Sequence, residues 1–279
     1  MDITSAQNPR IKHLLNLQQK SQLRRQEGLF VVEGRRELEH CLSAGYQIQS
    51  LFLCPELNNE ANPLPSRIGI DSDSIFHLPR SLYEKIAYRG STEGVIAIVK
   101  EQKLTLSDLA KQLASTVSSQ QSSRRESPLI IVLESVEKPG NLGAVLRSAD
   151  AAGAHAVIVC DPLTDLYNPN LIRSSIGAIF TVPTLACTST ECIAFLRQNG
   201  LQILTAQLQD SDLYYRVDMT LPTAIVMGTE STGLTQQWRE AATAHIRIPM
   251  LGKLDSLNVS VSASILLYEA VRQRMVHLV

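Results

Sequence analysis

The sequence predicts a two-domain α/β protein whose second domain is built on a parallel sheet. Three observations predict it. The chain is 279 residues long, more than one ordinary domain of roughly 150. The short apolar runs Leu129–Leu133, Ala156–Cys160, Ile203–Ala206 and Ala224–Met227 lack clean alternation, as strands covered on both faces do. Helical stretches separate those runs, and strands joined by helical crossovers lie parallel.

Taken in order, residues 10–25 hold Arg10, Lys12, Lys20, Arg24 and Arg25 with no acid between them. Ile11, Leu14, Leu15 and Leu17 run alongside, so the stretch reads as a basic helix with an apolar stripe. A strand at Leu29–Val32, a helix from Gly34 to about Ser43, and strands near Ser50–Cys54 and Gly94–Val99 complete a small α/β domain over 1–100. Leu106, Leu109 and Leu113 recur at helical spacing, so a short helix leads into the next segment. That segment, Ser115–Pro128, reads STVSSQQSSRRESP. It cannot bury enough apolar surface to offset the entropy of ordering it, so 101–128 reads as a helix and a flexible linker. The second domain, 129–279, places helices at Leu142–Ala152, Thr190–Gln198, Thr235–Ala242 and Asn258–Met275.

With 44% hydrophobic and 19% charged residues, the composition is that of a soluble globular protein. Lys and Arg total 26 against 27 Asp and Glu, a net charge of −1. That excludes gripping nucleic acid by bulk charge and leaves room for a local basic patch. The 5 cysteines include no CxxC pair, and only Cys187 and Cys192 are close, without a His at ligand spacing. They read as buried or idle thiols of a reducing compartment, with no metal. The first twenty residues carry no apolar core of signal-peptide length, and no apolar run is long enough for a membrane span. A soluble cytoplasmic protein is the expectation.

Chemistry concentrates in loops after strands, where open parallel sheets bind ligands. In Glu137-Lys-Pro-Gly-Asn-Leu-Gly-Ala-Val-Leu-Arg147, Pro139-Gly140 makes a turn and Asn141 can cap a helix with Arg147 on its second turn. An Asn and a fixed cation facing a phosphate-bearing substrate is one reading. A cap and a surface Arg is the other. Gly228-Thr-Glu-Ser-Thr-Gly233-Leu allows close backbone approach to a ligand, with Glu230 as acceptor, or is a plain strand-to-helix turn. Ile248-Pro-Met-Leu-Gly-Lys-Leu-Asp-Ser-Leu-Asn-Val-Ser260 opens the last helix, where Ser256 and Asn258 serve as caps or orient a hydroxyl. No GxxxxGK[ST], GxGxxG or HExxH occurs, which argues against Walker-type hydrolases, ordinary dinucleotide enzymes and zincins.

Together the loops say more. In order and spacing, Asn141-x-Gly143-x-x-x-Arg147, Gly228-x-Glu230-x-x-Gly233-Leu234 and Ile248-Pro-Met…Ser256-Leu-Asn258-Val-Ser260 resemble the three signature motifs of the SpoU branch of the SPOUT RNA methyltransferases. Ala149–Ala154 and Asn168-Pro…Arg173-Ser-Ser-Ile-Gly177-Ala-Ile-Phe180 match the same pattern. Residues 27–36 resemble the opening of the substrate-binding domain that precedes it in many members. The resemblance implies S-adenosylmethionine held in a deep trefoil knot of the C-terminal domain, a homodimer, and methylation of ribose 2′-hydroxyls in ribosomal or transfer RNA. By carry-over, Asn141, Arg147, Glu230, Ser256 and Asn258 line the reaction centre. Gly228, Glu230, Ile248, Met250, Leu257 and Asn258 hold the cofactor. The first domain becomes a ribosomal-protein-like RNA binder, and the two-domain layout favours ribosomal RNA. Lys138, Ser148 and a long Ser-rich linker depart from the pattern without removing a motif residue.

Arg147 has been cast as the base in this family, a role that suits a guanidinium badly because it stays protonated. It reads better as the cation that holds a substrate phosphate and steadies the forming alkoxide. For RNA, the candidates are Arg10, Lys12, Arg24, Arg25, Arg35, Arg36 and Arg89, with Tyr83 and Tyr88 as stacking surfaces and Arg124 and Arg125 in the linker. Two other readings stay open at this stage: a non-catalytic RNA-binding or ribosome-assembly factor that keeps the fold, and a transfer-RNA ribose methyltransferase.

Overall fold

The computed structural model describes residues 1–58, 69–88, 93–118, 127–229 and 232–275, the side chains of 116–118 excepted. The chain divides into two compact units, Met1–Gln102 with Asp165–Thr181, and Lys103–Thr164 with Val182–Val279.

In the first unit, Asn8 caps helix α1 (Pro9–Gln19) by accepting from the Arg10 N–H at 2.9 Å, with Pro9 pre-set at the first helical position. Ile11, Leu14 and Leu17 are fully buried on its inner face. The single basic helix expected over 10–25 is two helices. Lys20 is extended (φ −110°, ψ 103°), α2 (Ser21–Glu27) starts after it, and Gly28 ends α2 at φ +63°. Then follow β1 (Leu29–Glu33), α3 (Arg35–Ser43), β2 (Ile48–Leu53), β3 (Ile75–His77), α4 (Arg80–Ile86) and β4 (Val95–Lys100). The sheet order is β1-β4-β2-β3, with β4 antiparallel to β1 and β2 and β3 parallel to β2. Leu14, Leu17, Phe52, Phe76, Tyr83 and Ile96 belong to one core.

The second unit begins with α5 (Leu106–Ser118), whose Leu109 and Leu113 join its core. Next come β5 (Leu129–Glu134), α6 (Pro139–Ala151) and β6 (Ala156–Cys160). The chain then runs through α7 (Pro169–Ser174) and α8 (Ala178–Thr181), which pack into the first unit. It returns with β7 (Thr184–Cys187), α9 (Ser189–Gln198), β8 (Gln202–Ala206), β9 (Asp212–Leu213), β10 (Thr223–Met227), α10 (Gln236–Ala241), β11 (Ala244–Arg247) and α11 (Val259–Met275). These strands form a parallel sheet of order β7-β6-β5-β10-β8-β11-β9. Every residue of β5, β6 and β10 is buried, which explains their unbroken apolar runs. β10 is laid between β5 and β8, two strands that precede it in the chain.

Within the first unit, the 165–181 stretch is held by specific contacts. The Arg24 guanidinium meets the Asp165 carboxylate at 2.6 Å and donates to the Leu17 and Gln18 carbonyls. Tyr167 stacks on Phe30 with ring centroids 4.2 Å apart, and Phe180 and Tyr46 complete the aromatic cluster. Such pairs are worth about 0.5–1.5 kcal/mol each beyond their burial. No helix among the described residues is long and apolar enough to cross a membrane.

Candidate active site

The carboxyl ends of β8, β10 and β11 surround a cavity of about 640 Å³, lined by Met227, by Gly228, Thr229 and 232–234, and by residues of the 248–258 loop. Gly228, Ile248, Met250, Ser256, Leu257 and Asn258 all line it, so the structure brings these sequence-predicted residues together. Glu230 lies outside the described residues. A Cβ at Gly228 would run into the Gly233 carbonyl and the Leu234 amide, so only glycine fits this crossing of the chain. The loop closes on itself: the Gly233 N–H donates to the Thr229 carbonyl at 3.1 Å, and Gly233 adopts φ +68°.

A smaller cavity of about 130 Å³ opens at the ends of β5 and β10, lined by Val136, Lys138 and Asn141 and sharing Gly228, Thr229 and Val259 with the larger one. Asn258 Nδ2 donates to Asn141 Oδ1 at 3.2 Å, tying the first motif to the third. Asn258 also caps α11, its Oδ1 accepting from the Ser260 N–H at 3.0 Å and hydroxyl at 2.6 Å. Ser256 donates to its neighbour Asp255 at 3.3 Å.

Helix α6 starts earlier than expected, with Pro139 at its first position, so Asn141 stands inside the first turn rather than capping it. The consequence falls on Arg147. Asn141 and Ser148, seven residues apart, lie within about 20° on the helix face. That face meets α11, where Ser148 and Ser264 hydroxyls are 2.7 Å apart. Arg147 points about 100° away; it is exposed and lines neither cavity. It makes no hydrogen bond or ion pair with any described residue.

Two features escaped the sequence reading. Glu134, at the end of β5, is 2% exposed. Its carboxylate accepts from the Thr235 N–H at 2.9 Å, the Thr235 hydroxyl at 2.7 Å and the Ser189 hydroxyl at 3.3 Å. It therefore pins the residue that follows the 228–234 loop. The available signal was a carboxylate ending an otherwise apolar strand. The other feature is a pair of buried atoms, Gln207 Oε1 and Arg239 Nε. Both residues line the large cavity, and neither atom meets a partner among the described residues.

The basic candidates of the first unit separate into two groups. Arg10, Lys12, Arg25 and Arg36 are exposed, Arg10 sitting 4.5 Å over the Phe76 ring. Arg24 is a correction: 4% exposed and committed to Asp165 and two carbonyls, it is a structural residue and cannot reach RNA. Arg35 is half-buried and donates to Asn58 Oδ1 at 2.8 Å. Tyr83 is buried at 1% exposure, which removes it as a stacking surface. Arg89, Arg124 and Arg125 lie outside the described residues. The sulfurs of Cys160, Cys187 and Cys192 lie within 4.8 Å of one another, an approach made by the β6–β7 register rather than by sequence spacing.

The model of the SpoU rRNA methylase family matches residues 128–268, and that of an MRM3-like substrate-binding domain matches 8–97. The 23S rRNA (guanosine-2′-O-)-methyltransferase RlmB of Vibrio parahaemolyticus is 33% identical over 229 residues, 82% of this chain and 90% of that protein. Among solved structures, an RNA 2′-O ribose methyltransferase is similar with TM-score 0.79 at 37% identity, over 99% of this chain and 100% of that one. An AdoMet-bound rRNA methyltransferase from Sinorhizobium meliloti gives TM-score 0.83 at 26% identity, over 100% and 98%. With the methylase model spanning its second half and a relative matched along 90% of its length, the chain belongs to the SpoU rRNA methylase family.

Proposed function

We propose that this chain methylates a ribose 2′-hydroxyl of large-subunit ribosomal RNA, as its relatives' names describe for theirs. As a family member it is an RNA 2′-O-methyltransferase that uses S-adenosylmethionine. The observation that carries the reading is the shared wall of the two cavities. Gly228, Thr229 and Val259 face both the 640 Å³ chamber and the recess bearing Asn141.

The chamber suits the cofactor. Its volume falls within the roughly 300–1,000 Å³ of ligand sites. Gly228 lets backbone approach, and the unpartnered Gln207 Oε1 and Arg239 Nε offer one acceptor and one donor. Bound there, S-adenosylmethionine supplies an electrophilic methyl group on a sulfonium. Ile248, Met250 and Leu257 give the chamber an apolar wall, and a drier site favours a reaction in which opposite charges merge. Asn141, Ser256 and Asn258 orient the ribose, and Glu230 shapes the cofactor loop. Arg147, exposed, outside both cavities and without a partner among the described residues, holds the substrate phosphate, and that phosphate or a water takes the proton.

The knot implied by the family resemblance would be drawn through these loops. RNA would cross the first unit on Arg10, Lys12, Arg25 and Arg36, with Arg35 and Arg89 beside them. A second copy would cover the face of α11 bearing Val261, Tyr268 and Met275, which are 47%, 50% and 40% exposed and seven residues apart from one to the next. The workplace is the cytoplasm, where ribosomal RNA is processed. The test is transfer of labelled methyl from S-adenosylmethionine to total RNA of a strain lacking this gene. Label in 2′-O-methyl groups of the large ribosomal RNA with wild type, and none with Arg147→Ala, is expected. No incorporation into any RNA despite measurable cofactor binding overturns the reading.

A further inference from the structure

The first unit holds a cavity of its own, of about 170 Å³, between the β1–α3 junction and α7. Its construction is local. Gly34, at φ +102°, turns the chain from β1 into α3 where a side chain would strike Glu37, and this places Arg36 and Glu37 on the opening turn. Opposite them, Asn168 caps α7 by accepting from the Asn170 N–H at 2.9 Å, and Arg173 occupies the last turn. The turn after it is strained: Ile176, β-branched, sits at φ +54°. Gly177, at φ +81°, lies so close to His40 that a Cβ would touch it. Such strain persists only where packing over-determines it, so Arg173 is held in place at the cavity.

The charges on the walls are only partly used by the protein. Glu33 accepts from the Tyr88 N–H at 2.8 Å, and Glu93 accepts from the Arg35 N–H at 2.7 Å. Arg173 and Glu37 are half-buried and Arg36 is exposed, and none of the three makes a hydrogen bond or ion pair with a described residue. Tyr88, its backbone fixed by Glu33, stands at the rim with its side chain 42% exposed. An isolated phosphate would face carboxylates as well as cations, and a cation would face two guanidiniums. A group carrying both a phosphate and a base with N–H donors satisfies Arg36 and Arg173 with the first and Glu37 with the second. The volume is below the roughly 300 Å³ at which whole-ligand sites begin, so a single inserted base is the fit.

We propose that this cavity is an RNA subsite that takes one unpaired nucleotide of the substrate away from the reaction centre. Tyr88 stacks on the base, Glu37 accepts from its edge, and Arg36 and Arg173 hold its phosphate. The inference rests on the RNA-methyltransferase reading and deepens it. It also gives the 165–181 stretch of the methylase region a part in substrate recognition.

The test uses the full chain, a 23S rRNA transcript and filter binding across a salt series. Arg173→Ala and Tyr88→Ala are each expected to weaken RNA binding about tenfold. Arg173→Ala also lowers the slope of log K against log salt by about one, which loss of a stacking ring does not do. Tyr88→Phe restores binding, and S-adenosylmethionine affinity stays unchanged in all three, which controls for folding. An Arg173→Ala/Tyr88→Ala protein with wild-type RNA affinity and salt slope overturns the subsite alone. Wild type that binds no RNA overturns the enzyme reading, and the subsite with it.

Discussion

Arg24 and Asp165 stand 141 positions apart, yet their side chains meet at 2.6 Å with only 4% and 11% of their surfaces exposed. Truncating one partner leaves a buried charge without its counterpart, which costs about 3–5 kcal/mol. Arg24→Ala is expected to lose that much in urea unfolding, because Leu17 and Gln18 also lose a donor. Arg24→Met with Asp165→Leu should recover most of it. A loss below about 1 kcal/mol for Arg24→Ala would place the pair among surface bridges.

Gly228 tests the cofactor chamber. Gly228→Ala pushes a methyl group into the Gly233 and Leu234 backbone, and overpacking of this kind costs about 1–3 kcal/mol. The expected result is a folded protein whose S-adenosylmethionine affinity drops by at least about tenfold, since the displaced loop forms the chamber's wall. Calorimetry reads it. Unchanged affinity would mean that the loop is not part of the cofactor site.

Glu134 acts on the same loop from behind. Its carboxylate is buried and takes three donors, so Glu134→Ala leaves Thr235 and Ser189 unsatisfied at about 1–3 kcal/mol. Because Thr235 directly follows the loop, cofactor affinity should fall as well, and Thr235→Val should fall between. A variant that loses stability with wild-type cofactor affinity confines Glu134 to the core.

Much of this was legible in the sequence, for physical reasons. β5, β6 and β10 are covered on both faces, so their apolar runs stand out. β7, where only Leu185 is buried and Ala186 is exposed, and β11, carrying His245 and Arg247, did not. The motif loops around Gly228 and Asn258 were visible because glycine and short polar residues cluster there. What stayed hidden depends on tertiary meeting points. Nothing in the spacing placed 165–181 with the first unit, because Arg24 and Asp165 each look like ordinary surface charges. Nor did it turn Arg147 away from Asn141, which followed from where α6 begins.

His155 gives the second unit a pH dependence. Burial first, then the charge of Arg274, holds its pKa below the usual 6.5. Its Nδ1 accepts from the Leu129 N–H at 3.2 Å, so the folded state keeps the ring neutral. Unfolded chains bind the proton near 6.5, so the unfolded state takes up more protons as pH falls through that value. Stability contributed above it is lost below it. Melting temperature is expected to fall from pH 7.5 to 5.5, above the range where carboxylates titrate. The fall should shrink in His155→Asn, whose Oδ1 keeps an acceptor for Leu129. Equal slopes in both proteins would remove His155 as the source.

The thiols divide by environment. Burial pushes Cys41 up to about 12. In the cluster, the neighbouring thiols raise Cys160 and lower Cys187. Cys187 is also the least buried of the five, on edge strand β7. Reactivity follows thiolate fraction and access, so iodoacetamide at neutral pH should label Cys187 first, at least about tenfold faster than Cys41. Peptide mass spectrometry over a time course reads the order. Cys187→Ser should leave the folded protein almost inert to the reagent, with Cys160 and Cys192 appearing only on unfolding. Early labelling of Cys160 or Cys192 in the wild type would show that the cluster opens to solvent and that Cys187 is not set apart by its neighbours.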